Sequence, residues 1–228
     1  MSQNSWFAKL LRFIGIVLMA LTAGFTILGG VGLFCAALFP TRYESMSGLI
    51  PFQWLYIFFM VATIAIGIWG IVATILLIRG KPNSYMTSIE SLAAGVVLGG
   101  FHIYMSRLLR GKSMPVDAVV YTTVFTLAVF LIFRIPGIWQ GVDFSKGSSR
   151  SNRGAGGAAA ILLGILTLAI QYMMASTHTW DGINYAAAFN TGLTLIGTLM
   201  MLGGVGILLA PKKMALPTTE LEARPAKA

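Results

Sequence analysis

Six long apolar runs, separated by short segments that carry nearly all of the charge, constrain this chain more than any other feature. The charge-free runs are Phe13–Thr41, Ser45–Ile78, Ser91–Ser106, Ala118–Phe133, Gly154–Trp180 and Gly182–Pro211. A helix needs roughly 20 apolar residues to cross a hydrocarbon layer of about 30 Å. Four runs exceed that length, and the third and fourth reach it once Leu108, Leu109 and Ile135 are counted. The pattern predicts an all-α, polytopic membrane protein with six transmembrane helices.

Composition agrees. The chain is 57% hydrophobic and 10% charged, against about 25% charged residues in a soluble domain. Its 228 residues are used up by six spans and their connections. The net charge of +9 does not point to nucleic acid, because the basic residues sit at the ends of spans, where Lys and Arg mark the cytoplasmic side of a membrane protein. The lone cysteine, Cys35, lies inside the first run and has no partner in the chain. That run is far longer than a signal-peptide core and reads as a retained anchor.

Charge also sets the expected orientation. With six crossings and the N-terminus inside, 12 basic residues face the cytoplasm and 4 (Arg42, Arg107, Arg110 and Lys112) face outside. If the third run did not cross, the counts would be 7 and 9. The rule that positive residues stay inside therefore favours six crossings with both termini cytoplasmic, in the cell (inner) membrane. Trp54, Tyr56, Tyr104, Tyr121, Trp180 and Tyr185 are expected near the outer interface, and Trp6, Tyr85 and Trp139 near the inner one. The outer basic cluster Arg107, Arg110 and Lys112 is read as snorkelling from the end of the third helix. Asp117, in the first turn of the fourth, offsets part of it.

The chain divides into residues 1–140, an interfacial N-terminal helix with transmembrane helices 1–4; 141–157, a flexible cytoplasmic linker rich in Gly and Ser; 158–210, a two-helix hairpin of helices 5 and 6; and 211–228, a polar tail expected to be disordered. Residues Asn4–Arg12 are expected to lie in the interface, with Trp6 and Phe7 toward lipid and Lys9 and Arg12 toward water. Thr87-Ser88-Ile89-Glu90 has the form of a capping box, with Thr87 opening the third helix. Leu28-Gly29-Gly30-Val31-Gly32 returns as Leu202-Gly203-Gly204-Val205-Gly206, an echo best explained by helix packing at glycine.

Candidate chemistry lies on polar helix faces. Ser91, Gly95, Gly99, His102 and Ser106 are spaced 4, 4, 3 and 4, which puts them on one side of the third helix. Leu92, Val96, Phe101 and Leu108 are expected elsewhere. Ala160, Gly164, Thr167 and Gln171 share a face of the fifth helix, and Asn190, Thr194 and Gly197 one of the sixth. Gly95, Gly99, Ala160 and Gly164 are the expected close-packing positions. His102, Gln171 and Asn190 fall at a similar depth, about 5–10 Å outside the midplane by helical rise. With Ser106 they make a candidate outward-facing polar pocket, weighed against simple helix-to-helix hydrogen bonding.

Other chemistry is not signalled. The glycine clusters lack a following Lys-Ser or Lys-Thr, and no Cys/His metal spacing exists. His102 and His178 differ too much in depth for bis-histidine haem ligation; a single-histidine haem or pigment at His102 is the one cofactor weighed. His178 to Gly182 reads as an outer turn, with Asp181-Gly182 supplying the bend. The expected function is a non-enzymatic accessory or scaffold subunit of a larger membrane complex, its partners the lipid bilayer and other membrane subunits. The alternatives are a small-solute transporter or permease component, and a pigment- or haem-binding electron-transfer subunit.

Overall fold

The computed structural model describes residues 2–3, 5–42, 44–113, 115–146, 149–173, 179–180, 182–184, 187 and 189–210. The helices are α1 (Trp6–Gly32), α2 (Phe34–Leu38), α3 (Gln53–Arg79), α4 (Ser84–Arg110), α5 (Val116–Phe133), α6 (Pro136–Val142), α7 (Ser149–Met173) and α8 (Asn190–Leu209). Short 3-10 turns cover Pro40–Arg42, Glu44–Phe52 and Phe144–Lys146. Thr179–Trp180 and Ile183–Asn184 form a two-residue antiparallel ladder. Gly182, at φ +76°, makes the bend that closes it. Six helices are long and apolar enough to cross a membrane.

α1, α3, α4 and α5 form a four-helix unit, and α7 packs on α1 and α3 with α8 on its far side. The end of the unit where α1 begins is called basal here, and the end near Leu33 distal. Each end holds a packed cluster. The basal one is built on Ile16, Leu77, Leu92, Phe130, Phe133, Val142 and Phe144. The distal one uses Leu33, Ala37, Leu49, Leu55, Tyr56 and Phe59. Leu92, off the polar face of α4 as expected, is a core residue of the basal cluster.

The basal end overturns one expectation. Ser5 caps α1, its Oγ accepting from Ala8 N at 3.2 Å, and the helix runs unbroken through Arg12. Arg12 does not face water: it is 1% exposed. Its Nη1 donates to Gly141 O at 2.6 Å and its Nη2 to Gln3 O at 2.9 Å. Gly141 lies in the last turn of α6, where carbonyls lack an intrahelical donor and carry the negative end of the helix dipole. A guanidinium satisfies such a carbonyl better than water does at a crowded site. Lys9 alone of the pair is exposed, while Trp6 and Phe7 are 75% and 50% exposed.

The expected linker is also more ordered than its composition suggests. α7 starts at Ser149, so the final nine linker positions are helical. Asn152, 1% exposed, donates from Nδ2 to Leu77 O at 3.2 Å, capping the last turn of α3. The glycines serve contact here, not flexibility. A Cβ on Gly156 would sit 2.6 Å from Ile78 Cδ1, and one on Gly157 would sit 2.9 Å from Gly204 O. Before α7, Asp143 accepts from Ser145 N and Ser145 Oγ and pairs with Lys146 at 3.2 Å. Partial burial opposes its charge, but these hydrogen bonds and the Lys146 ammonium outweigh burial and hold the carboxyl below its ordinary range. The expected tail, 211–228, lies outside the described residues.

Two smaller expectations change. α4 begins at Ser84 after Asn83, one turn before Thr87. The Thr87 hydroxyl donates back to Asn83 O at 3.0 Å, so no capping box forms and Glu90 is exposed. Tyr56 and Tyr85 leave the expected interfacial belts for the core, being 0% and 7% exposed. Each has found a partner for its hydroxyl: Tyr56 Oη shares a 2.8 Å bond with Ser106 Oγ, and Tyr85 Oη donates to Phe130 O at 2.9 Å. Trp54, Tyr104 and Tyr121 remain at least 61% exposed.

Arg12→Met keeps side-chain length but removes two charge-assisted bonds and strands Gly141 O. It should cost about 2–3 kcal/mol, read as unfolding of the detergent-solubilised protein, whereas Lys9→Ala should change stability by less than about 0.5 kcal/mol.

Candidate functional site

A buried polar stripe runs the length of α4. Ser84, Ser88, Ser91, His102 and Ser106 are each 2% exposed or less, and Gly95 and Gly99 complete their face. The stripe extends the predicted one by two serines at the same spacing. From Ser84 to Ser106 it spans about 33 Å at helical rise. Ser88 and Ser91 return their hydroxyls to the carbonyls of Ser84 and Ser88, which satisfies them without reaching across the bundle.

The glycines in this face admit α5. A Cβ on Gly99 would overlap Val120 Cγ2, and one on Gly95 would lie 3.2 Å from Thr123 Cγ2. α5 answers with its own buried hydroxyls. Thr126 Oγ1 and Thr22 Oγ1 of α1 share a 2.7 Å bond. Thr123 Oγ1 donates to Val119 O and Thr26 Oγ1 to Thr22 O.

His102 occupies the distal half of this seam. Its ring stacks on Phe59, with centroids 4.4 Å apart and planes 20° apart, and Tyr56 meets it edge-on at 5.5 Å. Nε2 is buried without a hydrogen-bond partner. Beside it lies a cavity of about 60 Å³ lined by Thr26, Thr63, Thr123, Gly29, Gly95, Gly99 and aliphatic neighbours. A second, smaller space of about 10 Å³ continues basally past Thr22 and Ser91 and shares Thr26, Ile66, Gly95 and Thr123 with the first.

The structure brings together His102 and Ser106 through Tyr56, but not Asn190. Asn190 is exposed, and its Oδ1 accepts from Thr194 at 3.1 Å. The Gln171 side chain lies outside the described residues. The reason is packing order. α7 lies on α1 and α3, with Ala159 and Leu163 against Ala20, so those helices stand between the hairpin and α4. Equal depth in the sequence did not mean equal position around the bundle. Thr22, Thr26, Thr63 and Thr123 do line the seam, and the i, i+4 pair Thr22/Thr26 was the signal that could have found them.

The hairpin has its own close contact. Gly164 and Gly197 face each other, as do Gly157 and Gly204: a Cβ on Gly164 would lie 2.6 Å from Gly197 O, and one on Gly204 2.6 Å from Gly157 O. Ala160, half-buried, lies one turn from Gly164. The second glycine of each echoed pentapeptide is a contact point, Gly30 against Ile64 and Met60 of α3 and Gly204 against α7. Packing therefore accounts for the echo.

At the distal surface the basic cluster is partly neutralised. Arg107 Nε donates to Ser113 Oγ at 3.0 Å, and its Nη2 lies 3.4 Å from Asp117 Oδ1. Ser113 donates to the Asp117 carboxylate. Arg110 is half-buried and Lys112 exposed. His178 and Asp181 lie outside the described residues, and no group of three or more His, Cys, Asp or Glu among the described residues stands close enough to hold a metal. The His102 ring is packed against Phe59 and Tyr56, and the space beside it is far smaller than a tetrapyrrole. Compared with protein-family models, with curated proteins and with solved structures, the chain matches none.

Gly164→Leu drives a side chain into the α8 backbone and should destabilise the protein by at least about 1–3 kcal/mol. Gly203→Leu, on α8 with nothing within 4 Å of its Cβ position, should leave stability unchanged or slightly raised. Thermal unfolding of the two variants side by side checks this.

Proposed function

We propose that this chain is a multi-pass protein of the cell (inner) membrane, with both termini cytoplasmic, that serves as a non-enzymatic accessory or scaffold subunit of a larger membrane complex. One observation carries the reading: both ends of the four-helix unit are filled by packed side chains. An interior given over to packing leaves the lateral surface to act. That surface is widest on α8, where Leu195, Leu199 and Leu202 are about as exposed as Trp54 while Gly197 and Gly204 alone are buried. Orientation is supported by the exposure of Lys9, Arg79, Lys81, Arg134 and Lys146 at the basal end.

The His102 cavity favours a second reading, a small-solute transporter or permease component. Its axial route is blocked in this conformation by the same two clusters, so transport would require α5 or α1 to move.

Photo-crosslinking from position 199 of the full chain, in its native membrane, separates the two. The subunit reading expects a discrete adduct with a larger membrane protein that persists through mild-detergent purification. A solitary monomer with no adduct, together with uptake lost in His102→Ala, would overturn it in favour of the carrier.

A further inference from the structure

Four helices each contribute one polar group to the cavity beside His102: Thr26 from α1, Thr63 from α3, His102 from α4 and Thr123 from α5. The rest of the wall is glycine, proline and aliphatic side chain, and no charged residue lines it among those described. A few convergent polar groups in an apolar hollow is the usual make-up of a small-molecule site. The size sets an upper bound. One water needs about 10–15 Å³ on the same measure, so about 60 Å³ admits on the order of four waters, or one molecule of three or four heavy atoms.

Chemistry narrows the class further. An ion here would be buried without a counter-charge, at a cost of several kcal/mol or more, so the occupant is neutral. Thr26 and Thr123 already donate their hydroxyl protons to backbone carbonyls, so toward a ligand they can only accept. His102 Nε2 is buried and unpartnered, and an unmet polar atom at such depth is costly unless something bonds to it. The occupant must therefore donate to the threonine wall, and it reaches His102 Nε2 only when the ring turns toward the hollow, because that atom is closed off in this conformation. A way in exists. Of the lining residues, Gly32 at the end of α1 and Pro115 at the start of α5 are exposed and mark the rim. That places the mouth on the side of the bundle, between α1 and α5, near but not through the packed distal end.

We propose that this cavity binds a small uncharged solute with hydrogen-bond donors, of the size of formamide or urea, held by the Thr26 and Thr123 hydroxyl oxygens against the His102 ring. The assignment does not rest on the subunit reading: an accessory chain and a carrier could both hold such a ligand, and the test below measures neither assembly nor uptake.

His178→Gln leaves His102 as the sole histidine, so one ¹⁵N-imidazole spectrum of the full-length protein in lipid nanodiscs reports on this ring alone. Formamide is the probe, and N,N-dimethylacetamide, bulkier and without N–H donors, is the control. The expected result is a saturable movement of the His102 Nε2 resonance with formamide and none with the control. Magnetisation transfer from water to Nε2 without a formamide response would make this a water pocket and overturn the assignment. A ring that sees neither probe nor water, or one that moves equally with both amides, would overturn it as well.

Discussion

A buried polar atom without a partner is costly, and that constraint shapes this structure more than any single contact, although Arg12 Nε, His102 Nε2, Arg110 Nε and Asn152 Oδ1 are left without one. Within helices the backbone meets it automatically. The exposed points are helix ends, and at the basal end two side chains serve them. Arg12 reaches the last turn of α6, and Asn152 the last turn of α3. Both come from segments whose composition suggests water or flexibility. Six buried hydroxyls among the described residues solve the same problem inside their own helix, returning to a carbonyl three or four residues back. Only a few bonds cross between helices through side chains, and Thr22 with Thr126 and Tyr56 with Ser106 are two of them.

Close helix approach is the second organising element, and it comes from glycine. Gly30, Gly67 and Gly70 bring α1 and α3 together, Gly95 and Gly99 admit α5, and the Gly157/Gly204 and Gly164/Gly197 pairs join α7 to α8. Where no solvent-driven collapse operates between helices, such contacts gain dispersion energy by letting backbones touch. They also explain why the polar seam is narrow: the helices around it stand too close to leave more than a small hollow.

The six long apolar helices could be read from the sequence because each apolar run is long and nearly free of charge. The polar face of α4 was legible too, since spacings of 3 and 4 determine a side of a helix whatever packs against it. What could not be read was azimuth between helices. Asn190 sits at a suitable depth, yet on a helix separated from α4 by two others. Arg12 misled for a related reason. A charged residue near a helix end snorkels outward unless a later segment folds over it, and α6 does so from 129 residues further along. The Gly-rich stretch before residue 157 misled because glycine's two uses, freedom and closeness, leave the same composition.

α6 continues directly from α5 and is tied at its far end to α1 through the Arg12 guanidinium. The wall of the hollow that α5 supplies is therefore linked, by a short strut, to the root of the opposite wall. If α5 swings outward to widen the mouth between Gly32 and Pro115, the strut pulls on the first turns of α1. The rim between Gly32 and Pro115 and the buried guanidinium of Arg12 are thus mechanically coupled, through the continuity of α5 with α6 and the bond from Arg12 to Gly141.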